Sequence, residues 1–115
     1  DEAEARVREE LEEEGFGVLT EIDVQATLKK KLDEDMRPYK ILGACNPPYA
    51  HKALEAEDKI GTMLPCNVIV QAADDGKTEV AAVDPVASMQ AVDNEALRPI
   101  AEEIRDRLRR VIDRI

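Results

Sequence analysis

The segment from residue 66 to residue 83 constrains the fold more than any other part of the sequence. Cys66–Ala72 (CNVIVQA) has the length and the β-branched content of a buried strand. The turn sequence Asp-Asp-Gly-Lys follows at residues 74–77, and residues 78–83 (TEVAAV) form a second strand pattern. This arrangement predicts an antiparallel hairpin. A hairpin alone is marginally stable, so further strands or a helix layer must cover its apolar face.

Helix and strand patterns alternate before this hairpin. Residues 1–14 have apolar side chains at helical spacing, and Gly15 is suited to the left-handed turn that ends such a helix. Residues 16–22 alternate in side-chain character and predict a first strand. The residues expected on its buried face are Phe16, Val18, Thr20 and Ile22.

A second helix and a second strand follow. Asp23 is a suitable N-cap for the helix, which should end near Met36 because Pro38 disfavours helical geometry in the residue before it. The inward-facing residues of this helix should be Val24, Leu28 and Leu32. Tyr39–Cys45 (YKILGAC) then predicts the second strand.

Helices account for the remaining segments. Residues 49–63 predict a third helix that Pro65 ends, and Asp84-Pro85 opens a short fourth helix. Residues 94–115 predict a long amphipathic helix whose regular part should start at Pro99. Its apolar stripe consists of Leu97, Ile100, Ile104, Leu108, Val111 and Ile115. A stripe of this length must be buried on the chain's own sheet or on a partner, and this favours a dimer.

Together these elements indicate a single α+β domain, with one mainly antiparallel sheet of about four strands covered by helices. A length of 115 residues suits one domain, with its core at about 3–92 and a long C-terminal amphipathic helix at about 94–115. We expect no cofactor, and neither a metal nor a disulfide is needed for folding, because a chain of this size can bury a core of its own.

The charge of the chain excludes several classes of partner. There are 26 acidic and 16 basic residues, giving a net charge of −10. Nucleic acids and anionic membranes both require a basic surface, so neither is an expected partner. Neither a membrane-spanning run nor a signal peptide is evident, and a cytoplasmic location is the expectation.

Five stretches, in this order along the chain, resemble the bacterial and archaeal domain of unknown function 302 family. They are GFGVLTEIDV, ILGACNPPYAHKAL, MLPCNVIVQ, DDGKTEV and VAAVDP. The resemblance covers about residues 3–92. It implies a fold like that of the TATA-box-binding protein, with a curved antiparallel sheet and homodimer formation. Members usually have a strand before the first helix, so we expect an N-terminal strand to be missing or removed here.

The resemblance implies no settled activity, and we assign no catalytic residues from it. From the residues themselves, the strand ends are the best candidates for a ligand site, because turns at strand ends often border pockets. Cys45, Asn46, Cys66 and Asp84 all lie at predicted strand ends and are the candidate ligand-binding residues. Rigid, proline-fixed corners and an N-cap role for Asp84 are the alternative explanation.

The two cysteines allow several interpretations. Strand alternation groups Cys45 with Ile41, and Cys66 with Val68, on faces that should be buried, where both thiols would act as small apolar side chains. A disulfide or a reactive thiol is the alternative. Zinc bound by Cys45, His51 and Cys66 is a weaker alternative, because the spacing matches no standard zinc site. His51 otherwise fits a solvated helix surface.

The sequence is compatible with two functional hypotheses. The first is a non-enzymatic homodimeric domain that binds a small molecule or a protein near the candidate residues. The second is a thiol-dependent redox or sulfur-handling protein that uses Cys45 or Cys66.

Overall fold

A computed structural model describes residues 2–115, and its elements follow the predicted order. The helices are α1 (Glu2–Glu13), α2 (Val24–Leu32), α3 (Pro47–Ala56), α4 (Pro85–Met89) and α5 (Arg98–Asp113). The strands are β1 (Gly17–Asp23), β2 (Tyr39–Cys45), β3 (Cys66–Ala72) and β4 (Thr78–Ala82), and 3-10 turns occupy Asp58–Met63 and Glu95–Leu97. The α+β class is confirmed. The expected first residue of α1, Asp1, lies outside the described residues.

The four strands form one open, uncurled antiparallel sheet in the order β1-β2-β3-β4. The predicted hairpin is confirmed: the amide of Ala73 donates to the carbonyl of Lys77 at 2.7 Å, and Gly76 adopts the positive φ of 79° that its turn requires. Each strand therefore pairs with its neighbour in sequence, which places the start of β3 beside the end of β2.

One face of the sheet is covered by α1 and α5. The buried core between them consists of Val7, Leu11, Phe16, Leu42, Ala44, Cys66, Val68, Val70, Ile104, Leu108 and Val111. The middle of the predicted apolar stripe, Ile104, Leu108 and Val111, is thus buried on the chain's own sheet, whereas the expected burial of Ile115 was wrong, since its side chain is 40% exposed. A second, smaller core lies under α3 and consists of Ala53, Ile60, Met89, Leu97 and Ala101.

The first strand differs from its prediction because it contains a bulge. The pairing of β1 with β2 shifts between Val18 and Thr20, so Leu19 is the extra residue. Beyond the bulge, side-chain alternation is reversed: Glu21 pairs with the buried Leu42, while Ile22 pairs with Ile41 on the opposite face. The prediction that Thr20 and Ile22 are buried was therefore wrong: both are exposed, Ile22 to 48%.

Two helices are shorter than predicted. The second ends at Leu32 because Asp33 adopts a left-handed conformation with φ 55°. Of its residues expected to face inward, Val24 and Leu28 are half-buried, whereas the prediction was wrong for Leu32, which is 65% exposed. The third ends at Ala56, where Glu57 is extended and the chain continues as the 3-10 turn that buries Ile60. Among residues 2–115, no helix combines the length and the apolar content needed to cross a membrane.

Candidate functional site

An apolar cleft of about 260 Å³ opens at the end of the sheet where β2 ends and β3 begins. Helices α3 and α5 provide two of its walls. Two leucines on its lining are unusually exposed for apolar residues: Leu19 at 68% and Leu54 at 44%. The lining has no charged residue, and Asn46 is its single amide. Such a surface can hold an apolar molecule by removing it from water, with few polar contacts to orient it.

The bulge in β1 and the start of α3 explain how the chain builds this cleft. Leu19 is the bulged residue, and bulges redirect side chains from the regular alternation of a strand. At the other wall, Pro47 and Pro48 begin α3 directly after β2, since proline is well suited to the first helical turn. Tyr49 and Leu54 then follow on that helix and line the cleft.

Asn46 connects the cleft to the first helix. Its side chain makes no N-cap hydrogen bond to α3. Instead, the buried Asn46 amide donates from Nδ2 to the carbonyl of Glu14 at 3.2 Å, and Arg107 donates from Nη1 to the same carbonyl at 3.0 Å. These two bonds join the end of α1 to the end of β2 and to α5, beside the cleft.

The carboxylate of Glu14 is the second anchor of this corner. It receives hydrogen bonds from Arg110 at 3.1 Å and from Arg114 at 2.8 Å, and the residue is only 8% exposed. The hydrogen bond from Arg110, together with that from Arg114, holds the pKa of the Glu14 carboxyl below its ordinary value. The charged form of Glu14 therefore stabilises the packing of α5 against α1.

Both cysteines line the cleft, but their side chains lie on opposite faces of the sheet. Cys66 lies with Val68 on the face packed against α5 and is buried, as predicted, whereas Cys45 is half-buried on the other face. Both are free thiols. Burial raises the pKa of the Cys45 thiol, and burial with a smaller contribution from Cys45 raises the pKa of Cys66 to about 11. At neutral pH both groups are therefore protonated and poorly nucleophilic.

The other two sequence candidates lie apart from the cleft. The Asp84 carboxylate accepts a hydrogen bond from the amide of Val86 at 2.9 Å, which makes it the N-cap of α4. His51 is exposed on α3, with Nδ1 3.7 Å from a carboxylate oxygen of Glu55. The structure thus brings Cys45, Asn46 and Cys66 to one cleft, but not Asp84 or His51. Within residues 2–115, no three His, Cys, Asp or Glu side chains are arranged to hold a metal ion.

The apolar residues at the mouth of the cleft and the cations near it were not predicted from the sequence. Leu19 stands among the residues expected to face solvent in the first strand, and an apolar residue in that position is a usable signal. Tyr49 carries two cations on its ring: Lys52 Nζ is 5.1 Å from the ring centroid, and the guanidinium carbon of Arg107 is 5.3 Å from it.

The fold and the cleft together define a small α+β domain with an apolar pocket at one end of a four-stranded antiparallel sheet. The sequence model of the family described as "Domain of unknown function DUF302" matches residues 1–115. The chain belongs to this family. The solved structure of an uncharacterized conserved protein DUF302 from Bacillus stearothermophilus is similar to it, with a TM-score of 0.91 and 34% identity over 98% of this chain and 88% of that chain. No curated protein matches the sequence.

Proposed function

We propose that this domain is a non-enzymatic binding protein that holds a small apolar molecule in the cleft between α3 and α5. The supporting observation is the cleft itself: about 260 Å³ of space with an almost wholly apolar lining, open to solvent beside Leu19 and Leu54. Burying apolar surface there would stabilise the complex by about 25 cal/mol for each Å² removed from water. The cleft is slightly smaller than the pockets of drug-sized ligands, which favours a slender molecule.

The lining argues for binding rather than for catalysis. General acid–base chemistry needs a titratable group within hydrogen-bonding reach of the substrate. The only titratable side chains on the lining are Tyr49, Cys45 and Cys66. The raised pKa values of both cysteines also disfavour the thiol-dependent alternative, which requires a thiolate near neutral pH.

We further propose that the domain works as a homodimer through the sheet face opposite α1 and α5. A cross-strand row of apolar residues lies on that face: Ile22, Ile41, Ile69 and Ala81. Ile22 and Ala81 are exposed, and Ile41 and Ile69 are only half-buried. A second copy can cover such a row by presenting the same row in return, as twofold symmetry requires. Light scattering would then show a dimer for the unaltered chain and a monomer for Ile69→Glu.

The binding proposal is tested with a series of linear alcohols, which carry no charge. Affinity for the protein should rise about fourfold for each added methylene, corresponding to about 0.8 kcal/mol, until the cleft is full. Titrations followed by methyl NMR should show shifts at Leu54 and Ile100, both of which line the cleft.

A matched pair of variants controls this experiment. Leu54→Glu places a charge at the cleft and should abolish alcohol binding. Leu32→Glu makes the same change at a leucine that is 65% exposed on α2 and away from the cleft, and it should bind as the unaltered chain does. Equal binding by both variants, or shifts spread over the whole surface, would contradict the proposal.

A further inference from the structure

We infer that the ligand of this cleft is a single-chain amphiphile, with its apolar body inside the cleft and an anionic head group held by Lys52 at the rim. The inference rests on the proposed binding function and adds the chemical class of the ligand. The class of ligand follows from which cationic side chain lies beside the cleft, because the lining itself carries no charge.

Helix α3 places Lys52 beside the cleft. Tyr49 lines the cleft, and Lys52 follows it by one turn of the helix, with Nζ 5.1 Å from the centroid of the Tyr49 ring. Among residues 2–115, no carboxylate lies within ion-pairing distance of this ammonium group. The ring holds the cation near the cleft without neutralising it, so its three donors remain available to an anion.

Arg107 contacts the same ring but is already engaged. Its Nε donates to Glu103 at 2.8 Å, and its Nη1 donates to the carbonyl of Glu14 at 3.0 Å. The Glu103 carboxylate neutralises the guanidinium. Arg107 therefore positions Tyr49 and the end of α1, and Lys52 is the cation left for a ligand.

The acidic overall charge of the chain makes the Lys52 ammonium group important for binding an anion. With a net charge of −10, the chain repels anions at long range, so an anionic ligand needs a specific cationic contact. The uncharged lining also requires that any ionised group of the ligand stay outside the cleft, since burying an unpaired charge is very costly. A chain-like body with a terminal anion satisfies both conditions, because its head group reaches the rim where Lys52 lies.

The test compares octanoate with octanol, which share a hydrocarbon chain and differ in head-group charge. At low ionic strength the protein should bind octanoate about two- to fivefold more tightly than octanol, the range expected for a partly exposed ion pair. This preference should disappear in Lys52→Gln and shrink with added salt. Lys30→Gln, which removes a lysine from the exposed surface of α2, should retain it.

The outcomes separate this inference from the function on which it rests. Equal binding of the two probes, tighter binding of octanol, or a preference that survives in Lys52→Gln would overturn the anionic head group and leave the apolar cleft as the binding site. If neither probe shifts the methyl signals of Leu54 and Ile100, both proposals fail. Octyl sulfate distinguishes a general preference for anions, in which it matches octanoate, from a specific preference for carboxylates.

Discussion

Gly43, in the middle of β2, has no room for a side chain. A Cβ atom added there would lie 2.0 Å from Oγ1 of Thr20, its partner on β1, and 2.7 Å from Cγ of Pro65 at the cleft. Both distances are below any normal contact. The Thr20 hydroxyl can rotate away, but the ring of Pro65 cannot, so Gly43→Ala must move backbone at the end of the sheet.

The expected destabilisation follows from two opposing effects. Overpacking of this kind typically costs about 1–3 kcal/mol. Replacing a glycine by alanine also reduces the entropy of the unfolded chain, which contributes about 0.4–1 kcal/mol in favour of folding. At their mid-points, about 2 and about 0.7 kcal/mol, the two effects leave a net loss of unfolding free energy of about 1 kcal/mol for Gly43→Ala. In a domain of this size that corresponds to a fall in Tm of roughly 4–8 °C.

Urea denaturation followed by circular dichroism measures this loss, and two further variants control it. Gly17→Ala lies on the neighbouring strand with nothing within 4 Å of the added atom, so it should be neutral or slightly stabilising. Thr20→Ala should recover part of the loss when combined with Gly43→Ala, because it removes the nearer of the two clashes. Equal stability of Gly43→Ala and Gly17→Ala would refute the reasoning.

Two ionisable groups give predictions about pH. Hydrogen bonds from Arg110 and Arg114 lower the pKa of Glu14, so its contribution to stability should be present above pH 4.5 and be lost as the pH falls. The difference in unfolding free energy between the unaltered chain and Glu14→Gln should therefore shrink in acid. Burial raises the pKa of Cys66 from 9.0 to about 11, so stability should decline as the pH rises through that window, and Cys66→Ala should flatten the decline. Equal slopes with and without either side chain would contradict that assignment.

The order and type of the regular elements were predictable from the sequence because local patterns specify them. The Asp-Asp-Gly-Lys turn between two β-branched runs predicted the β3–β4 hairpin, and the apolar stripe of α5 predicted the burial of Ile104, Leu108 and Val111 but not that of Ala101. The bulge at Leu19 was not predictable in this way. The bulge depends on the register in which β1 pairs with β2, and it moves Ile22 to the face opposite the main core.

The candidate site was predictable only in part for a similar reason. Cys45, Asn46 and Cys66 were found because neighbouring antiparallel strands bring the end of one beside the start of the next. Asp84 lies at the same end of the sheet, but its carboxylate is used to cap α4. The ion pairs of the α5 arginines can be predicted from spacing along the helix only in part. Arg107 does pair with Glu103 one turn earlier, whereas Arg110 pairs with Glu14, 96 residues away.

The contacts of Arg114 have a consequence for the order in which the domain can fold. Its side chain bonds to Glu10 and Glu14 in and just after α1, while its carbonyl accepts a hydrogen bond from Arg6. The last turn of α5 is therefore tied to α1 by two ion pairs and a hydrogen bond to a main-chain carbonyl, between residues about a hundred positions apart in sequence. Contacts of such long sequence separation can form only late in folding. Helix α1 is thus fully secured only when the final residues of α5 have packed against it.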